Sequence, residues 1–321
     1  MVNKTQRAPD VYCLMGPTAS GKTNLAVELV KQYPFEIISV DSAQIYREMD
    51  IGTGKPSKDT LKVAPHRLLD IKDPTEAYSA SDFRRDASLE ISSVIESGKV
   101  PLLVGGTMLY FRILRDGMAD LPRANKKVRQ DIEEIAKNHG WEEVHRQLAR
   151  VDPAAAARIH LKDPQRLQRA LEVFLVSGKS MTEFYSEEAV KRSDNQYSQS
   201  FNLHFFGIQP GDRTVLHEVI EKRFHKMLKD GLVAEVQLLY TRGDLTDKLP
   251  AIKSVGYRQI WQYLSGQSDY NAMIEKSVAA TRQLAKRQST WMKSWYKLNT
   301  LPDCAVKARD QILNYVESAS I

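Results

Sequence analysis

Eight residues, GPTASGKT at positions 16–23, constrain this chain more than any other feature of it. They fit the phosphate-binding loop pattern of Gly, four residues, Gly, Lys, then Ser or Thr. Their context fits as well. The apolar run 11–15 ahead of them reads as a short buried strand, and residues 24–33 behind them have helical spacing at Leu25, Ala26, Leu29 and Val30. In such a loop the backbone N–H groups and the helix N-terminus cradle a diphosphate. Lys22 supplies a point charge and Thr23 can ligate Mg²⁺. The pattern identifies a phosphate site without saying whose phosphates it holds.

The rest of the first third alternates strands and helices. A second apolar run, 35–40, ends abruptly in Asp41 and Ser42, and residues 68–71 are expected to form a third strand. Ser79 precedes apolar positions Phe83, Ala87, Leu89, Ile91, Val94 and Ile95, with Gly98 as a helix stop, and 100–104 is another buried strand ending in Gly105 and Gly106. This alternation predicts a parallel sheet covered on both faces. From Asp116 to about Asn195 only helical periodicity is visible, including a helix over 164–176 with Asp163 as its N-cap and Gly178 as its stop. Strand character returns at 203–208. Asp212 then opens a helix with an apolar stripe at Val215, Leu216, Val219, Ile220, Phe224, Met227 and Leu228, and the remainder reads as helical. The expected architecture is α/β: a P-loop NTPase-like parallel-sheet core over 1–115 and 200–321, interrupted by a helical insertion domain over 116–199.

Charge adds a second clue. The chain of 321 residues carries a formal charge of +6, and the segment 248–302 alone holds nine basic residues against Asp269 and Glu275. The other 266 residues therefore sum to about −1. Trp261, Tyr263, Trp291, Trp295 and Tyr296 are interleaved with these charges, a composition suited to phosphate contact and base stacking. It equally describes a solvated helix whose aromatics belong to the core. Two cysteines, Cys13 and Cys304, cannot make a disulfide framework. No stretch approaches the ~18 apolar residues of a spanning helix. A soluble, cytoplasmic protein with no membrane partner is expected.

Ligands of open α/β sheets bind beyond the carboxyl ends of the strands, so Asp41 should face the phosphate cradle, as a general base, a metal ligand, or simply a cap or turn residue. Thr107, behind Gly105 and Gly106, lies on the same edge and is either a substrate contact or a helix N-cap.

Eight ordered runs together resemble the tRNA dimethylallyltransferases, also called tRNA isopentenyltransferases. They are GPTASGKT, ISVDSAQIYREMDIGTGKP (38–56), APHRLLDI (64–71), YSASDFRRDA (78–87), PLLVGGTMLYF (101–111), DPQRLQRALEV (163–173), KSVGYRQIW (253–261) and TRQLAKRQSTWMK (281–293). The resemblance implies transfer of a dimethylallyl group from dimethylallyl diphosphate to N6 of the adenosine at tRNA position 37, beside the anticodon on its 3′ side. It also implies dependence on Mg²⁺ and binding of the anticodon stem-loop; a monomer is expected. Gly16, Pro17, Thr18, Ala19, Ser20, Gly21, Lys22 and Thr23 would hold the diphosphate, joined by Arg223. Asp41 would be the base for the adenine amine, with Ser42, Ala43 and Gln44 along the tRNA and Thr107 on the target nucleotide. Further tRNA contacts are implied for Arg129, for Gln165, Arg166, Leu167, Gln168 and Arg169, and for Lys253, Ser254, Val255, Gly256, Tyr257 and Arg258. The last such stretch is Lys286, Arg287, Gln288, Ser289, Thr290, Trp291, Met292 and Lys293. Lys253 stands where the family usually has Arg, keeping the charge without bidentate geometry. Only Cys304 lies beyond residue 13, too few cysteines for a C-terminal zinc finger of the eukaryotic kind, so a bacterial-type member is implied.

Three other readings share parts of this pattern. A small-molecule P-loop kinase and an adenylate isopentenyltransferase would use the same cradle, but have little need of the basic segment. A nucleic-acid motor would be expected to carry a strand ending in paired acidic residues, and none is apparent.

Overall fold

A computed structural model describes residues 8–193 and 201–319. In chain order it runs β1 (Asp10–Met15), α1 (Lys22–Gln32), β2 (Phe35–Val40), α2 (Lys58–Val63), β3 (His66–Arg67), α3 (Ala80–Glu96), β4 (Val100–Gly105) and α4 (Met108–Asp116). Four helices follow, α5 (Lys126–Val151), α6 (Pro153–Arg158), α7 (Pro164–Ser177) and α8 (Met181–Ser193). The chain then continues through β5 (Asn202–Ile208), α9 (Arg213–Lys229), α10 (Leu232–Thr241), α11 (Tyr257–Leu264), α12 (Tyr270–Lys293), β6 (Leu298–Leu301) and α13 (Ala305–Ala319). It divides into two compact units, Met1–Asp116 with Ser200–Ile321, and Gly117–Gln199.

The first unit is built on a six-stranded, all-parallel sheet in the order β3-β2-β4-β1-β5-β6. Alternate residues of β1 enter different cores, which explains its unbroken apolar run. Val11, Cys13 and Met15 pack with Phe83, Ala87 and Ile91 of α3 and with Met292 and Trp295. Tyr12 and Leu14 pack with Leu25 and Leu29 of α1 and with Ile312 and Val316 of α13. A third core joins Ile45, Tyr46 and Met49 to α9, α10, α11 and α12.

Local signals fix the helix ends. Ser79 and Asp82 form a reciprocal capping box at α3, and Asp212 caps α9. In the second unit Asp163 accepts from the Arg166 amide to start α7, and Gly178, at φ 71°, ends it. Its core is Ile132, Val144, Leu148, Ala156, Leu167, Ala170 and Leu171, and α5 is kinked at Gly140.

Three expectations need correction. Residues 68–71 are not a strand: Leu68 and Asp70 have φ of 60° and 56°, which no ladder accommodates, and the pairing with β2 is made instead by His66 and Arg67. The C-terminal remainder is not wholly helical, since β6 pairs in parallel with β5, Leu298 lying beside Phe205. Its four residues, LNTL, are too short and too polar to announce an edge strand. On α9 the expected stripe is cut short: Ile220 and Phe224 are buried, while Val215 and Val219 are 56% and 41% exposed.

Candidate active site

All strands of the sheet being parallel, their carboxyl ends share one edge. There the phosphate loop leaves β1, Asp41 leaves β2 and Gly106 and Thr107 leave β4. A cavity of about 1000 Å³ opens over this edge. It is lined by Thr18, Ala19, Ser20, Gly21, Lys22 and Thr23, by Asp41, Ser42, Ala43 and Gln44, and by Thr107 and Arg223. Lys253, Ser254, Val255, Gly256, Tyr257, Arg287, Gln288 and Trp291 extend this wall. Gly16 and Pro17 lie behind it, Gly16 buried and Pro17 buried with it.

The loop is preformed. Ala19 has φ 64° and Gly21, at φ 83°, opens α1. Lys22 Nζ donates to Pro17 O at 2.6 Å. Burial pushes the Lys22 ammonium down to about 7, against the pull of Asp41 and with a further push from Arg223. Burial also lowers the Arg223 guanidinium, again opposed by Asp41. The Ser20 hydroxyl is buried without a partner among the described residues. Two cations and an orphaned hydroxyl around one loop are complementary to an anion.

Asp41 has two different oxygens. Oδ1 accepts from the amides of Ala43 at 2.8 Å and Gln44 at 3.2 Å, the turn role that a strand-end Asp commonly plays. Oδ2 makes no hydrogen bond among the described residues, so one edge of the carboxylate stays open. Thr107 Oγ1 accepts from the Ser42 amide at 3.1 Å, tying the ends of β2 and β4 together. Gln288 makes a second tie: it accepts from Thr18 N and donates to Gly106 O, both at 2.9 Å.

Mg²⁺ fits this donor set. No cluster of three or more His, Cys, Asp or Glu residues among the described ones could hold a metal unaided. A magnesium ion bound through one or two protein oxygens, waters and substrate phosphates needs only what Thr23 offers, a hydroxyl on the cavity wall.

Beyond the cavity, α12 presents Lys286, Arg287, Thr290 and Trp291 along a shallow groove, with Arg112 5.8 Å over the Trp291 ring. Lys293 and Arg258 are exposed and Ser289 is half-buried. Two residues assigned to tRNA contact are instead core: Met292 packs under the sheet and Leu167 lies in the core of the second unit. Tyr257 lies in the cavity wall, wholly buried with its hydroxyl given to Glu235. Met292 and Leu167 are apolar positions within mostly polar runs, and their neighbours Lys293, Gln165 and Arg166 are exposed.

In the second unit Arg129 and Arg169 are tied to a carboxylate. Arg129 Nε and Nη2 donate to Glu172 at 2.8 and 3.1 Å, and Arg169 Nη1 donates to it at 2.8 Å. Gln168 donates to Arg129 O and to Glu133, whereas Gln165 and Arg166 are exposed. Sequence reasoning missed Glu172, as it missed Glu235. The signal was available: a lone carboxylate inside an apolar helical run (LEVFLV, LVAEVQLL) must be paired to be tolerated.

Two solved bacterial structures resemble this chain along nearly its whole length. The tRNA isopentenylpyrophosphate transferase of Bacillus halodurans is 32% identical, each chain being covered to 96%, with a TM-score of 0.68. The tRNA delta(2)-isopentenylpyrophosphate transferase of Staphylococcus epidermidis is 30% identical over 97% of this chain and 99% of that one, with a TM-score of 0.67. A eukaryotic dimethylallyltransferase acting on tRNA is 23% identical over 97% of this chain and 80% of that one, and at a TM-score of 0.80 it shares the fold. The IPP transferase family model matches residues 44–295, from just beyond Asp41 to the end of the basic α12 segment. On that match and on the identity to the two bacterial enzymes, the chain belongs to the IPP transferase family.

Proposed function

We propose that this protein transfers the dimethylallyl group of dimethylallyl diphosphate to N6 of the adenosine at tRNA position 37, 3′ of the anticodon. The observation that carries the reading is the convergence, on one sheet edge, of an anion cradle, a carboxylate with a free edge and a groove bordered by basic and aromatic side chains.

In the transfer the C1–O bond to the diphosphate breaks, its electron pair leaving with the diphosphate. The N6 lone pair forms the new C–N bond. The proton that N6 then sheds goes to Asp41 Oδ2. Neutralising the departing charge is the larger task, and Lys22 and Arg223, both on the cavity wall, would do it together with the loop amides. Thr23 would help to hold Mg²⁺, which when bound would supply further positive charge at the leaving group. The adenine amine is a weak base that turns acidic only as the bond forms, so a carboxylate with an unoccupied oxygen suffices as acceptor. Thr107 would orient the target base, which must leave its stack to reach the cavity.

Lys253, Arg258, Lys286, Arg287 and Lys293 would neutralise phosphates of the anticodon stem-loop, with Trp291 available for stacking. Every residue of the proposed reacting centre comes from one unit of the chain, so no second copy is needed to complete it, and a monomer is proposed. Among the described residues no helix is long and apolar enough to cross a membrane, and a cytoplasmic setting follows from the substrate. The test offers labelled dimethylallyl diphosphate with unmodified tRNA, AMP or ATP. Label on tRNA alone is expected. Label on AMP or ATP would make the protein an adenylate prenyltransferase, and phosphoryl transfer from ATP would make it a kinase.

A further inference from the structure

One wall of the cavity is the loop over 50–56, and it is held by a side chain far along the chain. The successive amides of Asp50, Ile51 and Gly52 all donate to the carboxylate of Glu235 on α10, at 2.9 and 2.7 Å to Oε2 and 3.1 Å to Oε1. The Tyr257 hydroxyl donates to Oε1 at 2.5 Å. A carboxylate offers about four lone-pair sites, so four donors saturate it. Consecutive amides converging on an anion form a nest of the kind that binds free anions, here filled by the protein itself. Glu235 therefore has no oxygen left for substrate.

What this anchor fixes is the position of the next residues. Gly52 lies so close to the Tyr257 ring that a Cβ there would come within 2.5 Å of it. Gly54, at φ +66°, lies against Arg223, whose Nη2 takes up the space a Cβ would need. Gln44 Nε2 donates to the carbonyls of Thr53 and Gly54 from the other side of the turn. Arg223 makes no hydrogen bond among the described residues, and its guanidinium lies against this loop at Gly54.

We infer that Glu235, through Tyr257 and the loop it clamps, is a positioning residue that aims Arg223 at the diphosphate. This rests on the assignment of Arg223 to the diphosphate made above. The test is a double-variant cycle read by calorimetric titration of the full chain with inorganic diphosphate and Mg²⁺. In Glu235→Gln an amide N–H faces the loop amides in place of an acceptor, and diphosphate binding should weaken about tenfold, the effect of removing one charge-assisted hydrogen bond. Arg223→Gln should weaken it at least as much. If Glu235 acts through Arg223, the double variant binds no worse than Arg223→Gln alone.

Losses that multiply in the double variant, or Glu235→Gln binding like the parent, would overturn the inference. Arg223→Gln binding like the parent would instead remove the assignment beneath it, a separate measurement. Should Glu235→Gln lose its cooperative melt, Glu235→Asp, which keeps the charge but withdraws it by one methylene, takes its place in the cycle. If neither variant folds, Glu235 is a folding element and the inference fails.

Discussion

The phosphate cradle and the helical unit both hold basic side chains in partly buried places, and they differ in where the opposing negative charge comes from. In the helical unit the protein supplies it: Glu172, fully buried, takes three charge-assisted hydrogen bonds from Arg129 and Arg169 and one from the Asn125 amide. Among the described residues, Lys22 of the cradle bonds only a loop carbonyl, Arg223 rests on a loop, and Asp41 is felt by both without closing an ion pair on either. A cation whose counter-charge is built in holds a fold together. One whose counter-charge is left out is a binding site, and its burial is a cost that only a ligand offsets.

The largest effect expected is on chemistry at the cradle's edge. Asp41→Asn removes the proton acceptor while keeping the hydrogen-bonding Oδ1, so transfer should fall by roughly 10²- to 10⁴-fold. Affinity for tRNA, measured by filter binding, should change little. A variant with normal turnover and poor tRNA binding would make Asp41 a positioning group.

Lys22→Met bears directly on the contrast. Single-turnover transfer should drop by about 10²- to 10³-fold, the usual cost of removing one preorganised charge stabiliser. Thermal stability should hold or rise, because a buried charge without an ion pair has been removed. Glu172→Gln should do the reverse, lowering stability by on the order of 3 kcal/mol while leaving diphosphate binding unchanged. The partial exposure of both arginines argues for no more than that. Acid sharpens the same point. Burial alone would raise the Glu172 carboxyl, but the hydrogen bonds from Arg129 and Arg169 outweigh it and hold it below its ordinary value of 4.5. Its stabilising effect is therefore complete above that value and disappears as the pH falls through the lowered native one. An acid melt of the parent should show this decline, and Glu172→Gln should lack it. If Lys22→Met destabilised the protein as much as Glu172→Gln, the distinction between the two regions would collapse.

The same distinction separates what could be read in the sequence from what could not. Strands buried on both faces, such as β1 and β4, write themselves as unbroken apolar runs, and the phosphate loop is a local motif in a local context. The family, too, is legible in its eight ordered runs. Elements whose stability comes from a distant partner leave no such trace. β6 is four residues defined by pairing with β5, and the turn at Leu68 and Asp70 is set by Lys55, which bonds Asp70, Asp50 and Tyr46 O at once. Gln288 lies in a run read as RNA-facing, yet its amide bridges the phosphate loop to Gly106, a contact across 270 residues of sequence. Arg129 and Arg169 are assigned to tRNA through the resemblance; Arg169 stands three residues before Glu172 on α7, a pairing the sequence offers, whereas the bond from Arg129 spans 43 residues and leaves no local trace. Met292 and Leu167 were recoverable from helical spacing, since Met292 lies seven residues beyond buried Ala285, and Leu167 three and four before buried Ala170 and Leu171.

The smallest effect expected tests whether the basic face of α12 belongs with the cradle's unpaired charges or is merely solvated. Lys286, Arg287 and Lys293 are without an ion pair among the described residues, unlike Arg282 on the same helix, which is held by Glu221 at 2.7 Å. If the three meet the tRNA backbone, changing them together to Ala frees up to three phosphates. Each neutralised phosphate releases condensed counterions, so the plot of log affinity against log salt should flatten by about 0.7 to 0.9 for every phosphate no longer neutralised. The weakening should be alike for different tRNA sequences, because phosphate contacts position the nucleic acid without reading bases. Stability should move by no more than about 0.5 kcal/mol, since surface charges without partners are being replaced. Arg282→Ala is the internal contrast: its charge is already answered by Glu221, so its salt slope should stay that of the parent. Equal slopes for the parent and the triple variant would make this face a solvated helix surface and would move the tRNA contacts elsewhere.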